Sequence, residues 1–339
     1  MDTILTAQSL FEKLRPVSLG ATTCIYSHET CEQMLPLIHR IQKLKREKNA
    51  VILAHSYVSP EIALAVADYS GDSYQLSKDA TKTQADIIVF AAVRFMAETA
   101  KILNPTKRVL IPGTETGCTL ADSIDANAVR QLRDLYPDYT FVCYINTTAE
   151  VKALCDICVT SSNVYKIVQN YPNDKIFFLP DKLMGQNLIE EMKRRGVNKD
   201  IRTSDGVCYV HEQYDPEMIQ YLRLKHPKVK VLSHPECSPS ILHESDFTGS
   251  TSQMLDYVHQ SEEQTFLMLT ECGLTARLQT ELPNRQFIGS CTMCRYMKSN
   301  SLEGILRVLE NPQAADEVHL DSALQKAALK CIQNMFAYA

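Results

Sequence analysis

Three cysteines, Cys118, Cys208 and Cys294, recur at nearly equal intervals along this 339-residue chain, and each closes one copy of a threefold internal repeat. A thiolate brings a soft donor and a negative charge to a metal ion. Three of them, supplied by three related units, predict one shared metal site.

The repeat is visible when VILAHSYVSPEIALAVADYSGDS (51–73), FVCYINTTAEVKALCDICVTSS (141–162) and VLSHPECSPSILHESDFTGSTS (231–252) are laid over one another. Each reads as strand, polar turn, helix, short strand and hydroxyl. His55, Tyr144 and His234 end the first strand, Asp68, Asp156 and Asp246 end the helix, and Ser73, Ser161 and Thr251 follow five residues after each aspartate. Equivalent positions lie 88 to 90 residues apart. A second motif, an apolar strand running into a helix, follows at 87–100, 175–188 and 265–278, and a third strand leads to each cysteine. Solenoid units run to roughly 20 to 50 residues, so this period predicts three small domains instead of an array.

Alternating buried strands and helices predict an α/β fold of three αβα three-layer domains, each a short parallel sheet with helices on its faces, related by a pseudo-threefold axis. The expected divisions are an N-terminal extension and helix over 1–48, repeat domains over 49–138, 139–228 and 229–310, and a C-terminal helical segment over 311–339. That last helix carries Leu324, Ala328, Cys331 and Met335 on one face and is expected to pack back on an earlier domain. Ligands in open α/β sheets bind beyond the carboxyl ends of the strands. With those ends turned inward, the strand-end residues, hydroxyls and cysteines converge on one central cavity.

Composition agrees with a globular enzyme: 45% of residues are hydrophobic, and 35 basic against 40 acidic residues leave a net charge of −5. That balance provides no electrostatic drive toward nucleic acid. No apolar run approaches the ~18 residues of a membrane span, and the first residues lack a signal-peptide pattern, so a cytoplasmic protein is expected. The basic run KLKREK (43–48) reads as the solvated end of a helix. Residues 1–30 are assigned no chemistry, and Cys24 and Cys31 have no explanation in the sequence.

Twelve cysteines in a cytoplasmic chain point to metal or redox chemistry and core packing instead of structural disulfides. Cys143, Cys155, Cys158, Cys272 and Cys331 lie in apolar strands or helices and read as core. The pairs Cys155/Cys158 and Cys291/Cys294 have CxxC spacing, but the gap between them is far longer than a zinc ribbon uses. Three thiolates from three domains suit a [4Fe-4S] cluster with one iron lacking a protein ligand, a Lewis acid able to help a hydroxyl leave as water. Ser73, Ser161 and Thr251 stand where helices begin, and two readings are open for them: anion-binding hydroxyls or ordinary N-caps. His55, Tyr57, Tyr144, His234 and Glu236 offer acid, base and hydrogen-bonding groups. One histidine or tyrosine at a strand end is ordinarily structural; the threefold coincidence is what marks these out.

The stretches AHSYVSPEI, GDS, FMAETAKILNPTKRVLIPGTETGCTLADS, YINTTAEVKA, TSSN, FLPDKLMGQNL, VHE, HPECSP, GSTSQM and the CxxC followed by Met297 together make the chain resemble the quinolinate synthase family of de novo NAD biosynthesis, over about residues 50 to 310. The resemblance implies a [4Fe-4S] cluster on Cys118, Cys208 and Cys294. It also implies condensation of iminoaspartate with dihydroxyacetone phosphate to quinolinate, with loss of phosphate and two waters. The source of the unstable imine is left open by the sequence, an aspartate-oxidising partner being one candidate. By position, Tyr57 and His55 would handle proton transfers, and Glu236 beside His234 would be an acid/base pair. Tyr144 and Asn146 would orient the substrate, and Ser73, Ser161 and Thr251 with Ser250 would hold its anionic groups, while Phe95 and Met96 wall the cavity.

Two residues depart from the family pattern: Arg295, where proline often follows the third cysteine, and Cys272 in TECGL. A disulfide between Cys291 and Cys294 would remove a ligand and act as a redox switch, the alternative being an accidental CxxC. Other three-cysteine, three-domain enzymes of diphthamide or reductive isoprenoid type, and a non-catalytic iron sensor, are the competing readings. The sensor predicts cluster-dependent partner binding and tolerates loss of Glu236 and Tyr57.

Overall fold

The computed structural model describes residues 5–18, 26–289 and 292–339. It contains three four-stranded parallel sheets. The first is built from β1 (Ala50–His55), β2 (Tyr69–Gly71), β3 (Ile87–Ala91) and β4 (Arg108–Leu110). The second has β5 (Thr140–Tyr144), β6 (Ile157–Val159), β7 (Lys175–Leu179) and β8 (Asp200–Thr203), and the third β9 (Lys230–Ser233), β10 (Phe247–Thr248), β11 (Thr265–Leu269) and β12 (Gln286–Gly289). Spatial order is the same in each: second, first, third, fourth. The chain therefore reverses direction across the sheet beside the first strand, which makes the carboxyl end of β1, β5 and β9 the place where a crevice opens.

The strands are apolar because both faces are covered. AVILAH, TFVCY and KVLS are buried almost throughout, the pattern of a parallel sheet between helical layers. The repeated aspartate has a structural task. Asp68, Asp156 and Asp246 each accept the backbone N–H of the first strand, from Ile52, Phe141 and Val231, at 2.8 Å in every copy. Each also meets a cation, Lys45 at 2.7 Å, Arg133 at 3.1 Å and Arg223 at 3.0 Å. This corrects the reading of KLKREK as wholly solvated: Lys45 is buried and donates to Val66 O as well as Asp68.

The helix His28–Glu47, with Ala7–Leu14 and Leu302–Glu310, covers one face of the first sheet, and Cys31 is part of that apolar layer. The C-terminal helix Ser322–Tyr338 buries Ala328, Cys331 and Met335. It packs on the second sheet, with Cys331 Sγ 3.5 Å from Cys143 Sγ and Asn334 donating to Asp156 O, and reaches the first domain through Gln325 and Lys101 O. Cys143, Cys155, Cys158, Cys272 and Cys331 are buried, as core cysteines should be. No helix among the described residues is long and apolar enough to cross a membrane.

Candidate active site and metal centre

The three sheets turn their carboxyl ends toward one cavity. Its walls carry His55 and Tyr57 from the first strand end, Tyr144 and Asn146 from the second, and His234 and Glu236 from the third, together with Cys118, Cys208 and Cys294. Ser73, Ser161, Thr251, Phe95 and Met96 line it too. Ser250 does not. It caps the helix Thr251–Gln260 and donates to Asp72 Oδ2 at 3.1 Å, behind the wall.

The cap question resolves locally. Asp72 caps the helix that Ser73 begins, and Ser250 caps the helix that Thr251 begins. Asn163 stands at the cap of Val164–Asn170, two residues past Ser161. The repeated hydroxyls are therefore not the caps, and Thr251 Oγ1 is buried with no hydrogen-bond partner among the described residues.

The cysteine loops obey the threefold rule in their backbone. Two residues ahead of each cysteine a carbonyl accepts an N–H from the start of the preceding helix: Arg94 N to Thr116 O at 2.8 Å, Lys182 N to Gly206 O at 2.7 Å, Cys272 N to Thr292 O at 3.1 Å. Each cysteine carbonyl then accepts from four residues on, at Asp122, Glu212 and Lys298. The sulfurs consequently face the amides of Ala121, His211 and Met297, three residues on, which favour the thiolate. Burial is the larger influence: it pushes the Cys118 thiol up to about 12, the Cys208 thiol well above its ordinary value, and the Cys294 thiol up. Without a cation these groups stay protonated; with one they ionise.

The acid–base residues form one hydrogen-bonded chain. Tyr144 Oη donates to Glu236 Oε1 at 2.6 Å, and His211 Nδ1 lies 2.9 Å from Glu236 Oε2. His211 Nε2 is 3.0 Å from Thr270 Oγ1, which is 2.6 Å from Tyr57 Oη. Burial pushes the Glu236 carboxyl up, but His211, His234 and the Tyr144 hydroxyl pull it further down, so it is ionised. Burial, with the charge of Glu236, holds the Tyr57 and Tyr144 phenols well above their usual range, as proton-bearing donors. Burial also lowers His55 to about 4 and His234 to about 3. Their Nδ1 atoms accept backbone N–H groups, from Tyr57 at 3.2 Å and Glu236 at 3.3 Å, which leaves the proton of the neutral ring on Nε2. The nearer imidazole to Glu236 is thus His211, with His234 Nδ1 at 3.7 Å and its ring stacked on that of His211.

His211 escapes the sequence reading, as do Thr270 and Glu271. A signal is present: three residues past each cysteine the copies read Ala121, His211 and Met297, so a polar residue breaks an apolar position. Cys208, His211 and Glu236 bring ligand atoms within 4.8 Å of one another. Arg295 is exposed and rests on Tyr209 and Tyr296 at the edge of the site, and Cys272 is buried in a helix start. Cys24 and Cys291 lie outside the described residues, and with Cys291 the switch expected with Cys294.

Comparison with known proteins agrees with this geometry. Residues 39–337 match the family model described as quinolinate synthetase A protein. The chain is 42% identical over 300 residues to a protein of Sinorhizobium fredii named quinolinate synthase, covering 88% of this chain and 82% of the relative. It is 43% identical to quinolinate synthase 2 of Mesorhizobium japonicum, covering 88% and 90%, and 43% identical to the quinolinate synthase of Gloeothece citriformis, covering 88% and 93%. With three repeat sheets around one cysteine-lined cavity and a match over nearly its whole length, the chain belongs to the quinolinate synthetase A family.

Proposed function

We propose that this protein is a quinolinate synthase, joining iminoaspartate to dihydroxyacetone phosphate and releasing quinolinate, phosphate and two waters. Atoms balance without net electron transfer, so the site needs acids, bases and charge stabilisation but no redox partner. The observation that carries the reading is the meeting of three cysteine loops and the Tyr57–Thr270–His211–Glu236–Tyr144 chain at one cavity in a member of this family. The donor set fits a [4Fe-4S] cluster on Cys118, Cys208 and Cys294: three thiols from three loops, each with an amide aimed at its sulfur and each requiring a cation to ionise. When bound, such a cluster keeps one iron free of protein ligands and supplies a Lewis acid for the hydroxyl that departs as water.

The chain's own residues divide the remaining work. Both substrates are anions, and Ser73 and Thr251 offer hydroxyls at helix starts, where carboxylates or phosphate are favoured, with the Ser161 hydroxyl on the same wall. Ser250 acts only indirectly, through Asp72 and the helix cap. Asn146 and Tyr144 orient the carbon skeleton, and Phe95 and Met96 exclude water. Glu236, ionised and held by Tyr144 and His211, is the base. Tyr57, kept protonated, returns protons during isomerisation and ring closure, with His55 Nε2–H beside it. Iminoaspartate hydrolyses readily, so an aspartate-oxidising enzyme in the cytoplasm is the expected supplier.

The test is an anaerobic assay of reconstituted protein with both substrates beside a Cys208→Ser control. Quinolinate from the native protein alone supports the reading; a stable cluster without product overturns it in favour of an iron sensor or a sister enzyme.

A further inference from the structure

The residue that opens the helix ahead of each cysteine loop differs among the copies: Val93, Asp181 and Glu271. The Val93 side chain has no hydrogen-bonding group, and Cys118 N donates within its own loop, to Asp122 Oδ2 at 3.3 Å. Asp181 uses Oδ1 on its own helix, at Met184 N. Glu271 is one methylene longer and fully buried. Its Oε2 accepts from Gly273 N at 2.6 Å, and its Oε1 reaches across to accept the amide of Cys294 at 3.1 Å. Lys298 lies 3.0 Å from the same Oε1 and donates to the carbonyl of Tyr57 at 2.5 Å. Space is tight there: a Cβ on Gly273 would come 2.7 Å from Tyr57 O.

The turn after Cys294 touches the other two cysteine loops as well. Arg295 N donates to the Tyr209 hydroxyl, next to Cys208, and Ser299 Oγ donates to Glu115 O, while a Cβ on Gly117, next to Cys118, would meet the Tyr296 ring at 3.1 Å. Wherever the carboxylate of Glu271 holds Cys294, it also sets where this turn meets its neighbours.

We infer that Glu271 and Lys298 are positioning residues, a buried ion pair that fixes the third cluster cysteine and the Tyr57 loop of the first domain as one unit. The inference rests on the proposed function for its purpose, since it keeps a metal ligand and a proton donor in register across a domain boundary. Glu271 borders the cavity, but in this role it acts through Cys294, and Lys298 acts through the Tyr57 backbone.

Two variants separate the arms. Glu271→Asp keeps the charge and the helix cap, as Asp181 does in the second copy, but withdraws from Cys294 N. Iron retention after anaerobic reconstitution, followed by loss of the visible iron–sulfur absorbance to a chelator, should be roughly tenfold faster than in the wild type, the scale of one charge-assisted hydrogen bond. The double variant Glu271→Gln/Lys298→Met keeps a carbonyl acceptor for Cys294 N at the cost of the one for Gly273 N, and removes both charges without leaving either unpaired. It should retain iron nearly as the wild type does while kcat falls about tenfold, because the acceptor for Cys294 N is kept and the Tyr57 tie is lost. A wild type that binds a stable cluster, beside Glu271→Asp that loses iron no faster, overturns the latch alone. A wild type that takes up no cluster overturns the proposed function and the latch with it. If Glu271→Asp does not fold, wild-type turnover in the double variant overturns the latch by itself.

Discussion

The ends of β1 and β9 are the same turn with different chemistry. In each, a histidine ring accepts the amide two residues on, His55 from Tyr57 and His234 from Glu236, and each ring is buried and neutral. The side chain carried by that amide is a phenol held protonated in the first domain and a carboxylate held ionised in the third. Repetition has kept the scaffold and the histidine on the cavity wall, and varied the lining residue two positions on. A threefold frame thereby presents a protonated phenol on one side and a carboxylate on the other, the asymmetry that the proposed condensation of two unlike substrates would use.

The comparison breaks most sharply at those two side chains. Glu236→Gln should retain the fold and bind iron yet lose roughly a hundredfold or more in kcat, the usual worth of a positioned base, in anaerobic steady-state assay. Tyr57→Phe keeps the ring and loses only the hydroxyl shared with Thr270. Its expected loss is smaller, about ten- to a hundredfold, and turnover at the wild-type rate would remove Tyr57 from the proton path.

The shared histidines give a pH signature. Both fold with a depressed pKa, about 4 for His55 and about 3 for His234, below the ~6.5 of an unfolded histidine. The unfolded chain therefore takes up protons first as the pH falls. The stabilisation is complete above pH ~6.5 and is lost toward the folded values, amounting to about 2 kcal/mol from each ring by pH 5. Urea unfolding of the metal-free protein at pH 7 and pH 5 measures it, and His55→Asn should flatten the difference. An equal slope in wild type and variant would show that His55 is not held neutral.

Much of this is legible in the residues alone. Strands of Val, Ile and Phe buried on both faces announce themselves, and the threefold spacing locates the strand ends, hydroxyls and cysteines that meet at the cavity. What the spacing does not distinguish is a cap from the residue after it. Asp72–Ser73 and Ser250–Thr251 both offer two side chains suited to a cap, and backbone conformation alone chooses between them. Long-range partners are also hidden, since Tyr57 and Thr270 meet across 213 residues. The repeated aspartates are visible in the pattern but their role is not, because a carboxylate satisfying a strand amide leaves the same mark in the sequence as one prepared for catalysis.

Those aspartates supply the smallest and most exacting comparison. All three accept a strand amide at 2.8 Å, so loss of that bond should cost each copy alike. Their cations differ: the side chain of Lys45 beside Asp68 is 8% exposed, against 38% for Arg133 beside Asp156 and 36% for Arg223 beside Asp246. Changing Asp68 to Asn leaves a buried ammonium short of its counter-charge and should cost about 2 kcal/mol. Asp156→Asn and Asp246→Asn leave guanidinium groups that water can reach, and each should cost below about 1 kcal/mol. Activity per folded molecule should be unchanged in all three, since none of these carboxylates faces the cavity. Denaturant midpoints rank the set, and three equal losses would mean that the amide bond, with no contribution from the ion pair, is what holds each short strand in place.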